Sequence, residues 1–118
     1  MDKLDNIFMY QEIFQNKLAP DRFDNDKNTQ QYVNQMILAL MEETVEIMRT
    51  TAYKNPEYVK YGWKKHQEID YDNMKEEIAD LLHFLVNLAM VAGMGSTELY
   101  EIYCKKNKIN HNRQEDGY

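Results

Sequence analysis

The sequence predicts an all-α domain of four helices, and three observations lead to this prediction. Apolar residues recur at helical spacing in four segments, no segment shows the alternation of a strand, and β-branched residues are sparse. The few breakers, four glycines and two prolines, lie between these segments or near the end of the chain. The predicted helices run roughly over 4–18, 29–51, 72–92 and 96–106.

Capping residues precede three of the predicted helices. The stretch 25–28 (Asn-Asp-Lys-Asn) comes before the second helix and is rich in cap and turn residues. Asp70 or Asp72 can cap the third helix, and Ser96 or Thr97 can cap the fourth. We therefore expect each of these helices to begin close to its capping residue.

Length and composition limit the class of protein. With 118 residues and a hydrophobic fraction of 43%, the chain can fill one core, so we expect a single domain over 1–118. No stretch approaches the roughly 18 apolar residues of a membrane span, and the first residues do not resemble a signal peptide. The single cysteine, Cys104, fits a reducing compartment and is expected to be a partly buried thiol on a helix. These features predict a cytoplasmic protein that has no membrane partner.

The charge distribution argues against one class of partner. The net charge is −6, from 20 acidic and 14 basic side chains, which is a poor field for binding long nucleic acid. A small polyanionic substrate remains compatible with this charge if a metal ion lies between it and the carboxylates. The strip 105–113 is locally basic and is the better phosphate contact.

Methionine and tyrosine are abundant, with eight and nine copies. Both residue types fill irregular contacts between helices. The long helices carry more apolar surface than one copy of so small a domain covers, so we expect a homo-oligomer of two or four chains.

Two of the predicted helices each carry a pair of acids spaced i and i+3. Glu43 and Glu46 lie on the second helix, Glu77 and Asp80 on the third, each pair on one shoulder of an apolar stripe. Carboxylates that converge beside apolar surface repel one another unless a cation joins them. Hard oxygen ligands suit Mg²⁺, with Mn²⁺ as a possible substitute, and His and Cys are too few for zinc. The two stripes comprise Val33, Met36, Ile37, Leu40, Thr44 and Ile47, and Met74, Ile78, Leu81, Leu85, Leu88 and Ala92.

Two other interpretations of these acids remain open. The carboxylates can be solvated, as predicted for Glu42, in a non-catalytic helical module that binds a partner protein through its Met and Tyr surface. Alternatively, Asp80 and His83 match the carboxylate–histidine spacing of di-iron bundles, although such sites need two of these motifs and the chain has one.

The acidic motifs resemble those of a known superfamily. Residues 43–46 (Glu-Thr-Val-Glu), a thirty-residue spacer and residues 77–80 (Glu-Ile-Ala-Asp) resemble the metal-binding signature of the all-α NTP pyrophosphohydrolases. That superfamily includes the MazG-like enzymes and the dimeric dUTPases.

Further segments resemble the dimeric dUTPases in particular. Residues 60–65 look like their aromatic-basic loop, although Trp63 is alone where the family is rich in tryptophan. Residues 77–84 resemble their third-helix motif, and residues 105–118 resemble their C-terminal phosphate-side motif. Gln11 falls where such proteins carry a glutamine.

The resemblance implies a MazG-like four-helix bundle, assembled as a homodimer or a dimer of dimers, that uses Mg²⁺ to hydrolyse dUTP to dUMP and pyrophosphate. Such an activity cleans the nucleotide pool. Another substrate, such as dCTP or a modified nucleotide, is the nearest alternative. The metal ligands implied are Glu43, Glu46, Glu77 and Asp80, with Glu43 and Glu46 catalytic and Glu43 taking a proton. The phosphate contacts implied are Lys106, Asn110 and Arg113, and the base contacts are Gln11, Trp63, Phe84 and Asn87.

Overall fold

The structure is a computed structural model that describes residues 1–55, 57 and 67–117. This part of the chain contains four helices and no strand, which confirms the predicted all-α class. The helices are α1 (Lys3–Leu18), α2 (Asp26–Arg49), α3 (Tyr71–Val91) and α4 (Ser96–Glu115). The chain divides into two compact units, residues 1–21 with 86–118 and residues 22–85, so α3 contributes to both.

The unit formed by 1–21 and 86–118 has a small apolar core. Phe8 of α1 and Val86 and Ala89 of α3 are buried there. The partly buried residues that pack against them are Leu4, Ile7, Met90, Met94 and Leu99. Gly93 ends α3 with a φ of 80°, a left-handed conformation that glycine adopts without strain. The Met94 amide then donates to the Ala89 carbonyl at 3.0 Å, which turns the chain into α4.

Side chains cap three helices as their sequences favour. Asp2 caps α1 in a capping box with Asp5, and Asn25 caps α2 by accepting from the Asn28 amide at 2.8 Å. Of the two candidates for α3, Asp70 accepts from the Asn73 amide at 3.1 Å.

The predicted cap of α4 is wrong. Gly95 occupies the N-cap position, and no side chain makes a capping bond. The Ser96 hydroxyl instead donates to the Asp5 carboxylate on α1, and this bond lowers the pKa of Asp5. The Ser96 hydroxyl therefore makes a tertiary hydrogen bond instead of capping its own helix.

The predicted end of α4 near residue 106 is also wrong, because the helix continues to Glu115. No glycine or proline interrupts it, and the next glycine, Gly117, has the φ of 79° typical just beyond a helix end. Cys104 is exposed rather than partly buried. It lies about 140° around the helix from Leu99, the residue that packs on the core.

The unit formed by 22–85 has few buried side chains among its described residues. Arg22 is buried, with its guanidinium 4.6 Å from the ring centre of Phe23 and 5.8 Å from that of Tyr32. The Arg22 carbonyl accepts from the Thr29 hydroxyl at 2.8 Å. Burial raises the pKa of Tyr32. These contacts hold the start of α2.

Much of the predicted apolar stripes is exposed, which corrects their expected burial. Ile37 on α2 and Ile78 and Leu85 on α3 are 44%, 51% and 51% exposed. The buried part of α3 is its C-terminal end, because the small core described above covers the helix only there. Exposed large apolar side chains lie on all four helices and include Tyr10, Ile13, Phe14 and Leu18, Leu38, Met41 and Val45, Leu82, and Tyr100 and Tyr103.

In the described part of the chain, no single helix has both the length and the apolar character of a membrane span. Helices α3 and α4 meet those criteria only when taken together as a bent pair, by length and composition alone.

We predict that two adjacent hydroxyls differ in their effect on stability. Ser96→Ala should lower Tm by roughly 3 to 5 °C, because it removes the bond between α4 and α1. Thr97→Ala should change Tm by less than about 1 °C, because Thr97 is exposed and makes no cap. Thermal denaturation followed by circular dichroism measures both, and a larger loss at Thr97 would instead support capping by that residue.

Candidate metal centre

Three carboxylates from two helices meet in the unit formed by 22–85. Glu43 of α2 and Glu77 and Asp80 of α3 each offer one carboxylate oxygen, and these atoms lie within 4.8 Å of one another. Glu77 and Asp80 share one side of α3 because residues three apart are neighbours on a helix surface. Three negative charges at this separation repel strongly, so the cluster requires a proton or a cation to be stable.

Without a metal ion, Glu43 retains a proton to higher pH than an ordinary glutamate. Burial raises its pKa most, and a hydrogen bond with Glu77 and the charges of Asp80, Glu77 and Glu46 raise it further, to about 7. A hydrogen bond between two carboxyl groups needs one proton, so the Glu43–Glu77 pair holds a proton where a cation would otherwise lie.

The residues present fit a hard divalent cation. In the described part of the chain, Oε2 of Glu43 is buried and has no hydrogen-bond partner, which is costly for a carboxylate oxygen. The group offers only oxygen ligands, the donors that Mg²⁺ and Mn²⁺ prefer. A cation bound there would satisfy the orphaned oxygen and neutralise the mutual repulsion.

The fourth predicted ligand, Glu46, lies outside this group. Its Oε1 atom is 3.7 Å from the Nη1 atom of Arg49, and both side chains are half-exposed. Exposed ion pairs of this kind contribute only about 0–1 kcal/mol, so the pair holds Glu46 weakly. The structure thus brings together three of the four carboxylates, and Glu46 as a ligand stays a prediction. Glu42 is exposed, as expected of a solvated acid.

The histidine of the di-iron interpretation does not join the cluster. His83 is exposed, and its Nδ1 atom lies 2.7 Å from the Ala79 carbonyl oxygen of its own helix. The group of possible ligands found among the described residues consists of carboxylates alone. This composition favours Mg²⁺ or Mn²⁺ over a di-iron centre.

Two of the predicted base contacts form a buried amide pair in the other unit. Gln11 is 5% and Asn87 1% exposed, and Gln11 Nε2 donates to Asn87 Oδ1 at 2.7 Å. Gln15, which the sequence pattern did not single out, is also buried, and its position one turn after Gln11 is the signal that could have identified it. Phe84 is partly buried in the unit formed by 22–85, and Trp63 lies outside the described residues.

The predicted phosphate contacts all lie on α4. Lys106, Asn110 and Arg113 are exposed, and their spacing of four and three residues places them on one side of the helix. Because α4 extends to Glu115, these side chains project from a regular helix rather than from a C-terminal tail.

We predict that the metal-free protein loses stability as the pH rises from about 5 to about 8. Glu43 has a pKa near 4.5 when unfolded and about 7 when folded, so the folded state binds its proton more tightly. That contribution is complete below pH 4.5 and is lost as the pH rises through 7. Urea denaturation in EDTA measures it.

Glu43→Gln should remove this part of the pH dependence, whereas Glu42→Gln, at the exposed neighbour, should preserve it. If the repulsion at Glu43 did not exist, the plots of unfolding free energy against pH would coincide for the two variants.

Comparisons with known proteins show the family of the chain. A family model described as dUTPase matches residues 3–98. The chain is 39% identical over 49 residues to a dCTP pyrophosphatase of Enterobacteria phage T4, a match that covers 42% of this chain and 29% of that protein. It is 36% identical over 58 residues to a dCTP pyrophosphatase of Enterobacteria phage LZ5, covering 47% of this chain and 34% of the relative.

These matches therefore span only about a third of the length of the curated relatives. No solved structure matches the chain significantly. The family model, in contrast, spans three of the four helices completely and the start of α4. On this match the chain belongs to the dUTPase family, as its acidic motifs had indicated.

Proposed function

We propose that this protein hydrolyses dUTP to dUMP and pyrophosphate with the help of Mg²⁺, and so removes dUTP from the nucleotide pool. The observation that carries the proposal is the group formed by Glu43, Glu77 and Asp80, with its buried and unpartnered oxygen. Membership of the dUTPase family supports the same reaction. The exposed, unpaired Cys104 is compatible with the cytoplasm, where such a pool is found.

Glu43, Glu77 and Asp80 would hold the cation, and Glu46 would complete the set after a rotation away from Arg49. Mn²⁺ would substitute, because it accepts the same oxygen ligands. When bound, the cation supplies Lewis acidity to phosphate oxygens and lowers the pKa of water.

The side chains of the protein accept the proton, orient the water and stabilise the leaving group. The oxygen of a water molecule forms a bond to the α-phosphorus, and the bond from that phosphorus to the α–β bridging oxygen breaks. Glu43 accepts the proton of the water, and Glu46 helps to orient it. Lys106 and Arg113 neutralise the departing pyrophosphate, and Asn110 donates a hydrogen bond to it.

We propose that the buried amide pair, Gln11 and Asn87, recognises the base of the nucleotide. Gln11 and Asn87 offer both donors and acceptors, as the edge of a pyrimidine requires. Phe84 and Trp63 would stack on the ring. Because an amide can present either its oxygen or its nitrogen, the same pair is compatible with uracil and with cytosine.

A second substrate therefore needs a direct test. The two phage relatives are named dCTP pyrophosphatases, which favours dCTP as the second candidate, ahead of other modified nucleotides. Both substrates would use the same carboxylates and the same phosphate contacts.

We further infer that the protein acts as a homo-oligomer, either a dimer or a dimer of dimers. Exposed large apolar side chains on every helix support this, since a monomeric protein rarely leaves so many of them uncovered. On α2 they recur along the helix as Ile37, Met41, Val45 and Met48, which places them on one face.

We predict a solution mass of two or four times the 14.2 kDa of one chain. Leu38→Glu, which places a charge among these exposed side chains, should shift the mass towards that of one chain. Gln31→Glu, at an exposed polar position of the same helix, should leave the mass unchanged. Sedimentation velocity at micromolar concentration measures all three proteins, and a wild-type mass of 14.2 kDa would contradict the proposed assembly.

The activity itself is tested by pyrophosphate release in Mg²⁺ from dUTP, dCTP, dTTP and UTP. We expect the fastest release from dUTP, and a loss of at least about 100-fold in Glu77→Gln, because the variant lacks one ligand charge. Glu76→Gln, at the exposed neighbour on α3, serves as the matched control and should retain full activity.

Preferential release from dCTP would keep the carboxylate site and replace the substrate. If no triphosphate is hydrolysed and neither Mg²⁺ nor Mn²⁺ binds, the enzyme proposal fails and the non-catalytic interaction module takes its place.

A further inference from the structure

The end of α2 is hydrogen-bonded to residues that immediately precede α3. Gln67 Nε2 donates to the carbonyl oxygen of Arg49 and, at 2.8 Å, to that of Thr51. The Asp70 amide donates to the Thr50 carbonyl at 2.7 Å, and Thr50 is 2% exposed. The carbonyls at the end of a helix have no partner within it, so this junction satisfies groups that α2 cannot satisfy itself.

The junction and the carboxylates are in register. Glu43 lies seven residues before Thr50, and Glu77 lies seven residues after Asp70. Residue 50 contacts residue 70, and residue 43 contacts residue 77. The earlier residue of α2 thus pairs with the later residue of α3, so the two helices run antiparallel here. Seven residues are nearly two helical turns, or about 10 Å, on each helix. The backbone contact at one end therefore determines which carboxylates face each other at the other.

Apolar packing provides little alternative support for this register. Among the described residues, Tyr32 is the buried side chain of α2, and no residue of α3 before Val86 is buried. When all three carboxylates are ionised and no cation is bound, they repel one another, which favours separation of the two helices. A slip of one residue along either helix would move a carboxylate by about 1.5 Å and rotate it by about 100°.

We propose that Gln67 is a positioning residue for the metal centre: its two hydrogen bonds to the end of α2 hold Glu77 and Asp80 opposite Glu43. The inference rests on the proposed function, because it assumes that these carboxylates bind a divalent cation. Gln67 touches neither the cation nor the substrate and acts only through the register of α2 and α3.

Two variants of Gln67 test the proposal. Gln67→Leu keeps the approximate size of the side chain but donates no hydrogen bond, and Gln67→Glu keeps its shape but can only accept when ionised. We expect both to weaken Mn²⁺ binding by about tenfold or more, the usual effect of removing a residue that orients metal ligands. Electron paramagnetic resonance of free Mn²⁺ measures the Kd, at a temperature where circular dichroism shows each variant folded.

The glutamate variant separates positioning from charge. An added negative charge near the site would by itself strengthen cation binding, so weaker binding in Gln67→Glu requires a change in geometry. Gln30→Leu is the matched control: Gln30 is an exposed glutamine of α2 that donates to Asn34 at 2.8 Å, and its loss should leave the Mn²⁺ Kd unchanged.

The outcomes distinguish this inference from the proposed function. If the wild type binds Mn²⁺, Glu43→Gln abolishes binding and both Gln67 variants bind within twofold of the wild type, Gln67 is structural only and the inference is overturned. Should Gln67→Leu not fold, Gln67→Glu alone decides between these results. A wild-type protein that binds no Mn²⁺ overturns the inference together with the metal site.

Discussion

The mutual repulsion of Glu43, Glu77 and Asp80 is the constraint on which the candidate site depends. Oxygens of the same charge within 4.8 Å of one another persist only if something else holds their helices in place. In the unit formed by 22–85 that support is polar, from the bonds that join Gln67 and Asp70 to the end of α2. The ionised cluster is therefore unfavourable in the absence of a cation or a shared proton, and a cation would relieve the repulsion.

Glu43 shows the resulting conflict between stability and function. Its buried, unpartnered oxygen and its raised pKa both reflect a carboxylate placed where charge is unfavourable. A neutral side chain there would suit the metal-free fold better, but it would remove a proposed ligand. Perturbed groups of this kind concentrate at functional sites, which agrees with the match of the chain to the dUTPase family.

The two compact units carry different parts of the proposed chemistry. The unit formed by 22–85 holds the carboxylates, whereas the unit formed by 1–21 and 86–118 holds the buried amide pair and the basic side of α4. Under the proposed function, the reaction type and the base preference would therefore depend on different residues. In the proposed function, substitutions at Gln11 or Asn87 would alter the preference between dUTP and dCTP without altering the carboxylates.

The sequence by itself determined the number and order of the helices, though not the limits of α4, as well as the acidic pairs and the family, because periodicity and spacing are local properties. Spacing predicted that Glu77 and Asp80 share one side of α3, since i and i+3 positions are neighbours on a helix, but it is the tertiary structure that brings Glu43 to them. The sequence did not predict which side chains would contact each other in the folded protein. Ser96 bonds to Asp5 instead of capping α4, Glu46 lies beside Arg49, and Asn87 is buried against Gln11. Only the tertiary structure decided these contacts, because each joins a side chain to whichever group folding brings near, and local spacing does not specify that group.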